Sequence, residues 1–393
     1  MGDQRPISRR ARSTTKLGLA VAVALTLAVA TGLGACSTND GVGGPTEGGA
    51  RTGVLAGHCP DPVVVQTDWE PEAEHGPLYH LVGDDYRVDD ETKSVTGPLV
   101  SGGVGTGVDI EVRTGGVAVA FALIPSLMYL DPSITLGMVR LAEAIATDEA
   151  APVLGVMAMF ERSPIAFYWD PATYPDARSV ADLRDDDVPL LLGRPDVFVD
   201  WMVDEGIASE SQLDLTESPK PATFVAAGGR LAELGFVTAE PYIYEFEVPE
   251  WGRPLRVELL DDLGFPEYFQ ALAVRTDQVD DLRGCLERLV PIIQRATAEY
   301  FADPDPTNDL VVELVDRYDV GWVYTPATAR YSAATQRQLG LVDDGPDGTV
   351  GDFDLERVQR LIDITATVTN PDVADLRADE VVTNEFLEPG IGL

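Results

Sequence analysis

Residues 63–80 read VVVQTDWEPEAEHGPLYH, and the order of residue types in this stretch decides what we expect of the fold. The run VVVQ predicts a buried strand, because strands covered on both faces read as continuous apolar runs. Acidic, aromatic and histidine side chains follow at the end of that strand, which is where α/β proteins bind their ligands. The candidate site residues in this stretch are Asp68, Trp69, Glu70, His75 and Tyr79.

Each of these side chains also has a purely structural interpretation. Trp69 and Tyr79 would suit the core beneath a sheet, since large aromatic side chains dominate protein cores. His75 would suit the start of a helix, one turn before Tyr79. The sequence alone leaves both interpretations open.

The first 35 residues have the features of an export signal. Residues 1–16 carry five basic residues against one acid, and the uncharged run LGLAVAVALTLAVATGLG follows. That order is typical of secretory signals. The run closes on Leu33-Gly34-Ala35-Cys36, which resembles the bacterial lipobox. We therefore expect residues 1–35 to be a lipoprotein signal peptide and Cys36 to carry acyl chains such as palmitate. The alternative is an uncleaved membrane anchor, because about 18 apolar residues can just span a bilayer.

The next segment, residues 36–59, is rich in glycine and contains little that could be buried, so we predict a flexible tether. Without Cys36, two cysteines remain, Cys59 and Cys285. In an exported protein they either form a disulfide or stay as two buried thiols, and the sequence does not decide between these. The chain has no CxxC pair, and its three histidines are too few and too crowded for a zinc site, so we expect no metal and no cofactor.

The charge balance excludes one class of partner. The chain has 66 Asp plus Glu against 28 Lys plus Arg, a formal net charge of −38. A surface this acidic repels polyanions, so we expect no nucleic-acid binding. The acids are spread along the chain, so most of them are solvated surface.

Short apolar runs alternate with helical patterns after the tether, which is the α/β signature. We assign a first lobe to residues 60–160 plus 270–393 and a second lobe to residues 161–269, because the chain returns to the first block late. Within the second lobe, FVTAEPYIYEF (236–246) is predicted as a strand, which would put Tyr242 and Tyr244 on the same side. The chain turns mainly helical after Asp261.

Five segments, in order along the chain, resemble one superfamily. They are DWEPEAEHGPLYH (68–80), ERSPIAFYW (161–169), VADLRD (180–185), GFVTAEPYIYEFE (235–247) and DLGFPEYFQALAVRTD (262–277). The superfamily joins thiamine-pyrimidine synthases to the nitrate-, sulfonate- and thiamine-precursor-type solute-binding proteins of ABC importers. Asp185 departs from the pattern, since glycine is usual there.

This resemblance implies the periplasmic-binding-protein type II fold, an α/β fold with two lobes and a ligand cleft between them. It implies a monomeric, non-enzymatic protein, held by its lipid on the outer face of the cell membrane, that closes over a small solute and delivers it to a permease and ATPase. Two alternatives from other classes are a pyrimidine-synthase-like enzyme and a surface lipoprotein that works without an importer.

The residue types in the expected cleft favour a small heteroaromatic ligand, with a thiamine-precursor-type aminopyrimidine as the first candidate. Aromatic faces stack planar rings, and carboxylates accept hydrogen bonds from amino groups. To the residues after the first strand we add Glu240, Tyr242 and Tyr268 as ligand contacts, although Glu240 before a proline also suits a turn. A sulfonate- or nitrate-type anion is the alternative, held by Arg194 and by backbone N–H groups of Gly115 and Gly116, and a flavin is another.

Overall fold

The computed structural model describes residues 52–216, 218–345 and 347–393. The predicted signal peptide, Cys36 and most of the predicted tether therefore lie outside the described residues. The described part falls within one unit, Ala50–Leu393.

The larger of two sheets has seven strands, which are β1 (Val63–Gln66), β2 (Arg87–Asp89), β3 (Ser94–Ser101), β4 (Val104–Arg113), β5 (Leu136–Val139), β6 (Val153–Ala158) and β12 (Ala271–Arg275). Their order across the sheet is β2-β3-β4-β1-β5-β12-β6. β1 lies at the centre, parallel to both β4 and β5, while β12 runs antiparallel to β5 and β6. All four residues of β1 are buried, as the run VVVQ predicts for a strand covered on both faces.

The smaller sheet has five strands, which are β7 (Ile165–Trp169), β8 (Leu190–Leu191), β9 (Leu213–Asp214), β10 (Ala232–Phe236) and β11 (Arg256–Leu259). Their order across the sheet is β11-β7-β10-β8-β9. β7 is antiparallel to β10 and β11, whereas β8 is parallel to β10 and β9. The chain thus passes from the larger to the smaller sheet after β6 and returns before β12.

Helices cover the sheets and dominate the last third of the chain. α9 begins at an N-cap, Thr325, whose side chain accepts a hydrogen bond from the Thr328 N–H, with Pro326 at the first helical position. The helices are α1 (Gly76–His80), α2 (Ile124–Leu130), α3 (Leu141–Ala146), α4 (Val197–Asp204), α5 (Pro221–Ala226), α6 (Glu240–Tyr242), α7 (Val279–Ala302), α8 (Asp305–Tyr318), α9 (Pro326–Gln338), α10 (Leu355–Val368) and α11 (Ala378–Val381). Of the helices in the described part of the chain, none is long and apolar enough to cross a bilayer.

The predicted α/β class with two sheets is confirmed, but the prediction of a strand over FVTAEPYIYEF is wrong. β10 ends at Phe236, and the chain then forms α6 and a π-helix, Ile243–Glu247. The aromatic and β-branched residues suggested a strand, yet Pro241 suits the first turn of a helix. Tyr244 is buried against Phe224 (ring centroids 5.2 Å apart), so it does not share a strand face with Tyr242.

The end of the predicted tether packs against the larger sheet. Leu55 is buried, and its N–H donates to the carbonyl of Thr106 in β4. Cys59 and Cys285 form a disulfide with their Cα atoms 4.6 Å apart. This bond joins the segment before β1 to α7, across a separation of 226 residues.

Candidate functional site

The candidate site lies at the edge of the larger sheet where β1, β4 and β5 end. These strands are parallel, so their carboxyl ends meet at one edge, and the start of antiparallel β12 lies there too. The loops that leave this edge contain Asp68, Gly116, Arg140 and Gln270. Such an edge is the usual ligand position in open α/β sheets.

A buried polar cluster fills the centre of this edge. Asp68 Oδ1 lies 3.0 Å from His75 Nε2 and accepts a hydrogen bond from Gln270 Nε2 at 3.0 Å. Glu72 Oε1 is 3.7 Å from the same His75 nitrogen. His75 and Gln270 are fully buried, whereas Asp68 and Glu72 remain 16% and 14% exposed. The structure therefore brings the predicted residues Asp68 and His75 together and adds Gln270, which we did not predict.

Glu70 is buried beside this cluster and holds the loop after β4. Its Oε1 accepts the Val117 N–H at 2.9 Å, while Oε2 has no hydrogen-bond partner among the described residues. Gly116 has φ +57°, and a β-carbon there would lie 2.4 Å from Glu70 Oε2, so only glycine fits. Burial is the largest cause of the raised pKa of Glu70, and the Val117 hydrogen bond partly offsets it.

Trp69 belongs to an aromatic corner, which we define as Trp69, Phe121 and Trp322. The Trp69 ring centroid is 5.7 Å from that of Phe121 and 6.3 Å from that of Trp322, with the two indole planes at 90°. Phe121 is 60% exposed, and both tryptophans are partly exposed. Phe121 and Trp322 were not among the residues expected at this site. The signal in the sequence was GWVYTP (321–326), where aromatic residues directly precede a Thr-Pro helix start.

The smaller sheet contributes residues that follow β10. Glu240 Oε2 accepts the Phe236 N–H at 2.9 Å. Burial raises the pKa of Glu240 to about 7; hydrogen bonds offset part of this shift, and the carboxylates of Glu233 and Glu74 add to it. Glu240 in turn helps to raise the pKa of Glu72, for which burial is the largest cause. Acids from both sheets therefore influence one another across this edge.

Residues around the start of α9 contact both the loop after β1 and the π-helix that follows β10. The Tyr324 hydroxyl accepts the Ala73 N–H at 3.1 Å, on the β1 side. The Thr325 hydroxyl donates to Glu247 Oε1 at 2.6 Å, on the side of the π-helix. Tyr331 packs on Tyr242 with ring centroids 5.3 Å apart. Tyr242 thus lies against α9.

Two other predicted contacts, Tyr79 and Tyr268, have their own packing partners. Tyr79 is buried, with its ring centroid 6.5 Å from that of His75. The Tyr268 hydroxyl accepts the Asp354 N–H at 2.8 Å, and its ring lies 4.0 Å from the Arg357 guanidinium carbon. These contacts make Tyr268 part of the packing beneath α10, separate from the Asp68 cluster.

Arg194, predicted as an anion clamp, is paired with carboxylates of the chain. It is 52% exposed, contacts Glu143 through a hydrogen bond, and lies 3.6 Å from Asp196. The neighbouring Arg140 is buried and binds Asp196, at the start of α4, and Glu267 (2.9 Å), before β12. These positive charges are neutralised internally. In the described residues, no cluster of His, Cys, Asp or Glu is arranged to hold a metal ion.

No protein-family model matches this chain, and no curated protein sequence matches it. Several solved structures do match this chain. A Bordetella bronchiseptica RB50 protein matches with TM-score 0.52 and 15% identity, covering 83% of this chain and 96% of its own. The Escherichia coli periplasmic aliphatic sulphonate binding protein SsuA matches with TM-score 0.51 and 12% identity, over 82% of this chain and 91% of its own.

A conserved Candida albicans protein, described as having the generic periplasmic binding protein fold, matches with TM-score 0.51 and 11% identity, over 84% of this chain and 98% of its own. At these identities the likeness shows the fold alone. The chain therefore has the periplasmic-binding-protein fold, and its site must be interpreted from its own residues.

Proposed function

We propose that this protein is the extracytoplasmic solute-binding component of an ABC importer. In this proposal Cys36 carries the lipid that holds a monomer on the outer face of the membrane, and a permease with its ATPase is the partner. The two sheets belong to two lobes, residues 60–160 plus 270–393 and residues 161–269, that close over a small solute. No catalytic step is required.

The observation that supports the proposal most is the convergence of residues from both sheets on one edge. Asp68, Glu72 and His75 come from the loop after β1. The start of α9 links this loop to the residues that follow β10, because the Tyr324 hydroxyl accepts the Ala73 N–H and the Thr325 hydroxyl donates to Glu247. Ligand bound there would touch both lobes only when they are closed, so binding would favour the closed form.

We propose a small heteroaromatic solute with amino donors, of the thiamine-precursor aminopyrimidine type. Trp69 would stack on the ring, and Asp68 or Glu240 would accept hydrogen bonds from the amino group. Asp68 retains 16% exposure, which leaves its carboxylate within reach of a ligand. The anion alternative has one supporting observation, the fold shared with the sulphonate-binding protein.

Calorimetric titration of the chain from residue 37 with 4-aminopyrimidine and with hexanesulfonate tests this proposal. Glu240→Gln should weaken aminopyrimidine binding by roughly ten- to hundredfold, as expected for loss of a charge-assisted hydrogen bond. Trp69→Ala should be at least as damaging, and Arg194→Ala is the matched control, with unchanged affinity. Tight hexanesulfonate binding that survives Trp69→Ala and is lost in Arg194→Ala would replace the heterocycle with an anion.

A further inference from the structure

We propose that the solute carries a positive charge and that Phe121 and Trp322, together with Trp69, are the aromatic walls that receive it. This inference rests on the proposed solute-binding function and adds to it the charge of the solute and two specificity-determining residues.

The aromatic corner consists of two tryptophan rings packed edge to face and a tilted, exposed phenyl ring. The indole planes of Trp69 and Trp322 stand at 90°, and Phe121 lies 5.7 Å from Trp69, tilted by 43°. A cation is attracted to the face of an aromatic ring, most strongly to tryptophan, and several faces at right angles can surround it. The corner is open to solvent, since Phe121 is 60% exposed.

The backbone at Phe121 has an energetically unfavourable, left-handed conformation. Ala120 and Phe121 have φ values of 52° and 57°, in the left-handed region that residues with a side chain rarely adopt. Their loop is fixed by bonds from the Ala120 N–H to the Val117 carbonyl and from the Phe121 N–H to the Gly116 carbonyl. Such strain is concentrated at functional positions. Here its effect is to place an exposed phenyl ring beside Trp69.

Two acidic side chains adjoin the corner along the chain. Asp68 and Glu70 flank Trp69 in the chain, and Glu70 Oε1 binds the Val117 N–H at 2.9 Å, in the same loop that carries Phe121. Glu70 is only 2% exposed, and its Oε2 has no hydrogen-bond partner among the described residues. A cation at the corner would be attracted to these carboxyl groups, although water at the open corner would partly screen the attraction.

The backbone N–H groups that an anion would need as hydrogen-bond donors already bind acceptors within the chain. The Gly115 N–H donates to the Trp69 carbonyl, and the Gly116 N–H donates to the Asp68 carbonyl. The Val117 N–H donates to the Glu70 carboxylate, so an acid of the chain itself occupies the position of a bound anion. A sulfonate or nitrate would therefore meet carboxylates without gaining these hydrogen bonds.

A matched pair of probes tests the charge of the solute. 4-Amino-1-methylpyridinium and 4-methylaniline have the same shape and amino group, but the pyridinium is charged and the aniline is neutral near pH 7.5. Calorimetric titration of the chain from residue 37 should show the pyridinium binding at least roughly tenfold more tightly, because aromatic faces and carboxylates favour the charged ring.

Equal affinities would overturn the charge inference while leaving the proposed function in place, since both probes are ring amines. Failure of the pyridinium to bind at millimolar concentration would also overturn it. Binding of hexanesulfonate in place of both probes would overturn the inference and the heterocycle proposal together.

Two variants test the corner itself. Phe121→Leu and Trp322→Leu keep apolar side chains but remove the ring faces, so each should weaken pyridinium binding by roughly three- to tenfold and aniline binding much less. Tyr129→Leu is the control, because that ring lies over Arg275 of the chain, 4.4 Å from its guanidinium carbon. An unchanged ratio of the two affinities in Phe121→Leu, whose exposed side chain makes misfolding a minor concern, would overturn the assignment of Phe121.

Discussion

Replacing Glu240 with glutamine should change how the stability of the unliganded protein depends on pH. Burial, with help from nearby carboxylates, raises the pKa of Glu240 from 4.5 to about 7 in the folded chain. The folded state therefore holds the proton more tightly than the unfolded state. This contribution to stability is fully present below about pH 4.5 and is lost as the pH rises through about 7.

The expected magnitude follows from the shift. At 1.36 kcal/mol per pKa unit, a rise from 4.5 to about 7 corresponds to about 3 kcal/mol between acidic and mildly alkaline solution. With about 2.1 cal/mol/K of unfolding entropy per residue, a folded region spanning residues 52–393 has about 0.7 kcal/mol/K. The melting temperature of the wild type should therefore fall by roughly 4 °C from pH 5 to pH 8 because of Glu240.

Glutamine keeps an acceptor for the Phe236 N–H but cannot ionise. Glu240→Gln should therefore melt near the wild type at pH 5 and above it at pH 8, as followed by circular dichroism of the chain from residue 37. Glu250→Gln, at an exposed position, is the control and should follow the wild-type pH profile. The same fall from pH 5 to pH 8 in Glu240→Gln as in the wild type would show that the pKa of Glu240 is not raised in the folded chain.

Two further predictions concern stability. Cys59→Ser combined with Cys285→Ser should lower the free energy of unfolding by about 3–5 kcal/mol, because the disulfide closes a loop of 226 residues. Urea denaturation without reductant measures this difference, and a loss below about 1 kcal/mol would contradict the prediction. Arg140→Ala should cost about 3–5 kcal/mol, since it leaves Asp196 and Glu267 buried without their cation. The exposed pair Arg283–Glu385 is the control, and Arg283→Ala should cost much less than Arg140→Ala because water screens exposed ion pairs. Equal losses in the two variants would show that burial of the Arg140 network adds nothing.

Candidate residues on the β1 side could be proposed from the sequence because the evidence there is local. A buried strand followed at once by Asp68 and Trp69 puts polar and aromatic groups at a sheet edge, whichever family the chain resembles. The sequence does not reveal the contacts of Gln270, Phe121 and Trp322 with Asp68 and Trp69, because these residues come together only in the tertiary fold.

Two other differences have physical causes. Glu240 was assigned to a strand because the residues around it favour β-structure locally, whereas Pro241 and the burial of Tyr244 impose helical turns. Arg194 was the candidate anion-binding residue of the alternative interpretation, but the fold places it against Glu143 and Asp196. Local patterns do not show which charges will be neutralised by distant residues.

Hydrogen–deuterium exchange of the chain from residue 37, with and without a saturating amount of whichever titrated compound binds most tightly, tests the central claim most directly. If both lobes contact one bound solute, exchange should slow in the loop after β1 (residues 67–75) and also after β10 (residues 236–247). The reason is that local opening of both segments becomes less frequent in the closed form. Slowing confined to one of these segments, or to neither, would contradict a solute-binding site shared by the two sheets.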